Sequence, residues 1–107
     1  MPAKPPKNDS GIHESTAFAA EFNEEAPTID LHGMTRDEAV HNLENELHHQ
    51  FMLGTKALRI IHGRGSGALR NAVHGYLREE KQLVAYFRDA TLPGMQDGVT
   101  VAVLFSK

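Results

Sequence analysis

The chain has 107 residues, no cysteine, 40% hydrophobic and 23% charged residues and a formal net charge of -3, a size and mixture expected of one globular domain. The lack of cysteine excludes disulfides, thiolate metal sites and a cysteine nucleophile. No apolar run approaches the roughly 20 residues that span a bilayer, and Met1 to Ser10 lack the apolar stretch of a signal peptide, so a cytoplasmic protein with no membrane partner is expected.

Charge is unevenly distributed. Residues 1 to 27 hold two lysines against Asp9, Glu14, Glu21, Glu24 and Glu25, which accounts for the whole net charge. Between Lys56 and Arg88 seven basic residues face only Glu79 and Glu80, a balance that leaves room for a polyanion-binding face.

In chain order, residues 1 to 14 contain Pro2, Pro5 and Pro6 among small and polar residues and read as a flexible tail. Phe18 and Phe22 stand at i, i+4 spacing, which allows a short helix over 15–25 docking on the body. The body, 28–107, opens with a strand over 28–32. Ile29 and Leu31 share one face, and Asp30 and His32 share the other, about 6–7 Å apart. Thr35 to Glu38 form a capping box that starts a helix buried along Val40, Leu43, Leu47 and Phe51 and ended by Gly54.

A second strand, 57–61, runs into His62-Gly63-Arg64-Gly65-Ser66-Gly67. A second helix then carries Leu69, Val73, Tyr76 and Leu77 on its apolar face. Residues 83–87 and 99–105 read as strands joined by turns at Pro93-Gly94 and Asp97-Gly98. The order β-α-β-α-β-β implies an α/β fold of the α+β two-layer sandwich kind: two helices on a mixed four-stranded sheet, its first two strands parallel. Parallel strands end at one sheet edge, so Asp30-Leu31-His32-Gly33 and His62-Gly63-Arg64-Gly65 are expected side by side where open α/β sheets bind ligands.

Three glycines ahead of a helix suit phosphate, because backbone amides can approach closely and the helix N-terminus adds partial positive charge. Arg64 would supply a bidentate partner, and Ser66 and Gly67 complete the cradle. A tight strand-to-helix turn is the plainer reading. Gly63, Gly65 and Ala68 also fit the dinucleotide pattern G-x-G-x-x-A with Asp89 downstream, but one mononucleotide-binding half in so short a body argues against it.

Asp30 can fix the tautomer of His32, or both can act on one scissile group, with His62 joining from the next strand. Equally open is that Asp30 bonds the following turn and His32 packs over the sheet. Arg70, His74 and Arg78 at i, i+4, i+8 form one helical stripe, read as an extension of the phosphate track or as a solvated face. His41, His48 and His49 match no metal-ligand spacing, and no metal site is expected.

Ile29-Asp30-Leu31-His32-Gly33 resembles the L-D-x-H motif of the Smr (small MutS-related) family, and His62-Gly63-Arg64-Gly65 resembles its H-G-x-G motif. The following Ser66-Gly67-Ala68-Leu69-Arg70 and the closing Asp97-Gly98-Val99-Thr100-Val101 also fit, so the resemblance covers about residues 28–105. It implies a fold like the C-terminal domain of bacterial translation initiation factor three, with sheet order 1-2-4-3. It further implies nicking or endonuclease activity on DNA or RNA in some members, and nucleic-acid or ribosome binding without cleavage in others. By residue, Asp30 and His32 correspond to the pair linked to cleavage, and His62, Gly63, Arg64 and Gly65 to the substrate loop.

Ile29 replaces the usual leucine conservatively, and some Smr domains joined to an ATPase have Arg where this chain has His32. With its own Met1 and no ATPase region, the chain resembles the short stand-alone bacterial members. The expectation is a monomeric endonuclease needing no cofactor, with Asp30 and His32 as acid-base or water-positioning pair, His62 as second proton donor or orienter, and Arg64 holding charge. A divalent Mg or Mn ion is the alternative for catalysis, and a non-catalytic binding module the alternative for function.

Overall fold

The computed structural model describes residues 5–96 and 98–106, the first six of them by backbone alone. Helix α1 spans Pro5–Phe22, strand β1 Thr28–Asp30, helix α2 Arg36–Met52, strand β2 Ala57–Ile61, helix α3 Ala68–Glu79, strand β3 Val84–Asp89 and strand β4 Val99–Leu104. The sheet order is β1-β2-β4-β3. β1 and β2 run parallel, and β4 is antiparallel to both of its neighbours. The mixed four-stranded sheet and its order match expectation, while the first strand stops two residues early, at Asp30.

Period-2 alternation divides the sheet's side chains between two cores. On one face Ile29, Leu58, Ile60, Ala102 and Leu104 pack with Leu43 and Leu47 of α2 and Val73 and Leu77 of α3. Helix α2 starts as its capping box requires: the Thr35 amide donates to Glu38 Oε1 at 3.0 Å and the Glu38 amide to Thr35 Oγ1 at 3.2 Å. Its buried stripe is Ala39, Leu43 and Leu47; Val40 and Phe51 are only partly buried. Gly54, at φ 82°, closes the helix in the left-handed conformation that glycine adopts without strain.

The opposite face is covered by α1, so the sheet carries helices on both sides, a third layer beyond the two helices expected. Ala17 and Ala20 of α1 pack with Ala57, Val101 and Val103, small side chains that let the helix approach closely. The docking face is therefore the alanine stripe. Phe18 and Phe22, expected to dock, remain about half exposed and pack edge-on against each other at 4.6 Å. The helix begins ten residues before the predicted 15–25 and ends at Phe22. Of the prolines that suggested a flexible tail over 1–14, Pro5 and Pro6 stand in its first turn, where their missing N–H leaves no bond unmade. Residues 1–4 of that tail, and Asp97 of the predicted turn, lie outside the described residues.

A register shift between Val84 and Tyr86 reverses side-chain parity along β3, as a bulge does. Val84 and Phe87 join the core under α2 and α3, while Tyr86 faces α1. Asp89 consequently stands on the α3 side of the sheet, beside Thr100.

Candidate functional site

Asp30 pairs in register with Ile61, and the Leu31 amide donates to the Ile61 carbonyl at 2.7 Å, which brings the two motifs to one edge of the sheet. The chain turns directly after Asp30. Its Oδ1 accepts the His32 backbone amide at 3.1 Å and lies 2.6 Å from His32 Nδ1. Both readings of Asp30 thus hold together: it bonds the turn and it holds the ring. A carboxylate only accepts, so Nδ1 carries the proton and Nε2 keeps the basic lone pair. Bonding to Asp30 raises the His32 pKa above its ordinary value, and the same bond lowers that of Asp30. The His32 side chain is 67% exposed.

His32, Gly33, Met34 and Arg36 form one wall of a cleft of about 400 Å³, and the loop from His62 to Gly67 with the start of α3 forms the other. A Cβ at Gly63 would lie 3.5 Å from that of His32, and Gly63 has φ 80°, so glycine keeps the two motifs in close approach. Gly67 precedes α3 at φ 89° with no side-chain cap to the helix; Ser66 Oγ accepts only the Ala68 amide, at 3.3 Å. Among the described residues, no carboxylate lines this cleft. Arg36, which the sequence reading left inside the capping box, does, and it is exposed.

Arg64 reaches across to the segment joining β3 and β4. Its Nε donates to the Gln96 carbonyl at 3.2 Å and Nη2 to the Gly94 carbonyl at 3.0 Å. The guanidinium is exposed but aimed.

His62 also lines the cleft, but it is buried, with 3% of its surface exposed. Its Nδ1 donates to the Gly63 carbonyl at 3.1 Å, and Nε2, left unprotonated, accepts from the Thr100 hydroxyl at 2.8 Å. His74 Nε2 donates to the same hydroxyl oxygen at 2.9 Å and approaches Asp89 Oδ1 at 3.4 Å. Asp89 is held by Arg70 through two bonds of 2.9 and 2.5 Å. Hydrogen bonds therefore run from His74 through Thr100 and His62 to the glycine loop, and the partly exposed Arg70–Asp89 pair stands 3.4 Å from His74 at the far end. Burial lowers the pKa of both histidines, which favours the neutral form of each ring.

His62 was expected as a second proton donor or orienter, and the structure shows both its ring nitrogens bonded, to the Gly63 carbonyl and the Thr100 hydroxyl. The stripe Arg70, His74, Arg78 exists: Arg70 lines a second cleft with Arg64 and Gly65 to Gly67, while the stripe as a whole packs toward β3. Arg70 is paired with Asp89, His74 is 12% exposed, and the Arg78 guanidinium lies 5.8 Å from the Phe87 ring centroid. His62, His74 and Asp89 bring possible metal-ligand atoms within 4.8 Å of one another, yet Thr100 and Arg70 already satisfy them. Asp89 is likewise committed to Arg70, which removes the ribose contact a dinucleotide would need. His41, His48 and His49 are exposed along α2.

Thr100 and Asp89, named in the sequence only within a closing motif and a dinucleotide pattern, take places beside the buried histidines that the sequence reading did not give them. The available signal was a lone hydroxyl inside Val99-Thr100-Val101-Ala102-Val103-Leu104, a strand otherwise wholly apolar.

Comparison with known proteins agrees with this architecture. Endonuclease MutS2 of Halothermothrix orenii is 41% identical over 81 residues, which are 76% of this chain and 10% of that protein. That of Thermus thermophilus is 40% identical over 80 residues, 75% of this chain and 11% of that protein. The chain therefore spans about a tenth of the length of these curated relatives. The crystal structure of the Smr domain of Thermus thermophilus MutS2 superposes with a TM-score of 0.70 at 39% identity, covering 74% of this chain and 98% of that one. YdaL, a stand-alone small MutS-related protein from Escherichia coli, shares the fold with a TM-score of 0.66 at 22% identity, covering 79% and 67%. The family model for the Smr domain matches residues 29–105, and the chain belongs to the Smr domain family.

Proposed function

We propose that the chain is an endonuclease acting on the phosphodiester backbone, with RNA the better substrate and no metal required. The observation that carries this reading is the Asp30–His32 pair, whose ring bears an available Nε2, beside a cleft lined by Arg36, Arg64 and a glycine-rich loop and, among the described residues, by no carboxylate. Phosphate oxygens suit the arginines and the backbone amides at the start of α3. RNA brings its own nucleophile in the 2′-hydroxyl, which an imidazole base can activate without a metal. Among the described residues, no carboxylates able to gather one or two divalent ions, the usual means of activating water against DNA, line the cleft. The relatives named as endonucleases support the activity class.

His32, oriented by Asp30, takes the proton of the 2′-hydroxyl as its oxygen attacks phosphorus; the bond to the 5′-oxygen breaks, that oxygen leaves with a proton from water, and Arg64 and the loop amides hold the charge developing on the phosphoryl oxygens. His62 keeps the loop in shape from beneath. The burial of His62 favours a second reading, a nucleic-acid- or ribosome-binding module without cleavage, because both of its ring nitrogens are already bonded and His32 alone of the two imidazoles offers a free one to the cleft.

The two readings separate with Asp30→Asn combined with His32→Ala. Loss of cleavage of labelled RNA with binding retained supports the endonuclease. Absence of cleavage by the purified wild type, with tight binding, supports the module.

A further inference from the structure

Glu21 lies on α1, on the side of the sheet away from α2 and α3, and is fully buried at 0% exposure. A buried carboxylate persists only where it is paired and hydrogen-bonded. Glu21 Oε1 accepts from Arg88 Nη1 at 2.9 Å, and Oε2 accepts the consecutive backbone amides of Thr91 and Leu92, both at 2.6 Å. Burial pushes its pKa up, but the bonds from Leu92, Arg88 and Thr91 outweigh that and hold it low.

Those two amides begin the segment 91–98 that joins β3 to β4. Further along, the carbonyls of Gly94 and Gln96 take the Arg64 guanidinium, and the Gly98 carbonyl accepts the amides of His62 and Gly63 at 3.0 and 3.1 Å. Internal bonds make the segment a unit: Met95 N to Leu92 O at 3.0 Å and Gly98 N to Met95 O at 3.1 Å. One end is therefore fastened to α1 and the other to the glycine loop, although no α1 residue lines the cleft. Helix α1 lies wholly before the stretch 29–105 that matches the family.

We infer that Glu21 is a positioning residue for the cleft, fixing the segment whose carbonyls aim Arg64. This rests on the reading of the cleft as the phosphate-binding site. A side chain that only filled space would need no charge. Glu21→Gln keeps the volume but lacks the charge that Arg88 and two amides share.

The test uses the full chain with Glu21→Gln, Arg64→Ala and the double variant. It reads two quantities: NMR exchange of the Arg64 Nε–H with solvent, and affinity for a labelled single-stranded RNA oligonucleotide at fixed salt. Glu21→Gln is expected to speed the Nε–H exchange about tenfold and to weaken binding roughly fivefold, with the double variant no weaker than Arg64→Ala alone, as coupled residues behave. If the glutamine variant does not fold, Glu21→Asp retains the charge with a shorter reach and is expected to move both readouts the same way.

Unchanged Nε–H exchange in a folded variant, or binding losses that simply add, would overturn the inference. Should Arg64→Ala leave binding intact, the phosphate-site reading fails, while the exchange measurement still decides whether Glu21 positions Arg64.

Discussion

Asp30 Oδ1 lies 2.6 Å from His32 Nδ1 and also accepts the backbone amide of the same histidine. One oxygen thus fixes both the place and the tautomer of the ring. Since this bond raises the His32 pKa, a base at Nε2 becomes active only as pH climbs through that raised value. Asp30→Asn is expected to move the acid limb of the cleavage profile to lower pH while reducing the plateau rate about tenfold to a hundredfold, the scale of one positioned acid-base group. An acid limb that stays in place or moves upward would mean that His32 is not the base.

His62 and His74 make a separate prediction about stability. Both are held below the ordinary histidine value of 6.5 by burial, so the unfolded chain takes up protons first. The stability from keeping them neutral is fully present above 6.5 and is lost as pH falls from there through the lower folded values. His32 acts oppositely, because its raised value gives stability that is present below 6.5 and lost as pH rises through it. In His32→Ala, the thermal midpoint should therefore hold steady above about pH 7 and fall between about pH 6.5 and pH 5. A flat profile across that window would show that the rings are not buried neutral.

Thr100 carries the hydroxyl on which both Nε2 atoms converge, and it is fully buried. Thr100→Val preserves the shape but leaves the His62 nitrogen without its donor, which should destabilise the fold by about 1–3 kcal/mol. Thr100→Ser should lose less. Denaturant titration measures both, and a Thr100→Val variant as stable as wild type would remove the hydroxyl from its place in the chain.

Arg64 and Arg70 sit six residues apart but have different tasks. Arg64→Ala should weaken RNA binding nearly equally across sequences and reduce the slope of log affinity against log salt by about 1, as loss of one phosphate contact does. Arg70→Ala, which breaks the pair with Asp89, should lower stability by roughly 1–2 kcal/mol and leave that slope unchanged. Equal slope changes in the two variants would place Arg70 on the nucleic acid.

Much of the fold was legible because its signals are local. The Thr35–Glu38 box, the turn glycine at 54 and the two motifs ending parallel strands each announce themselves in a few residues. What was hidden depends on parity and on long-range pairing. The bulge in β3 decides that Asp89 faces α3, and Thr100 gains meaning only once two histidines meet it. Likewise the basic surplus between Lys56 and Arg88 looked like a surface, although Arg88 is taken by Glu14 and Glu21 and Arg70 by Asp89. Helix α1 was misjudged because its binding face consists of alanines and two glutamates, Glu14 and Glu21, paired with Arg88, while its phenylalanines stay about half exposed.

The most direct measurement of the central claim is the chemistry of the cut ends. Purified protein and its His32→Ala variant are incubated with end-labelled RNA in EDTA, and the product termini are mapped. The account predicts cleavage that persists in EDTA, depends on His32 and leaves 2′,3′-cyclic phosphate or 3′-phosphate ends. Products with 3′-hydroxyl ends, or activity abolished by EDTA and restored by manganese or magnesium, would contradict it.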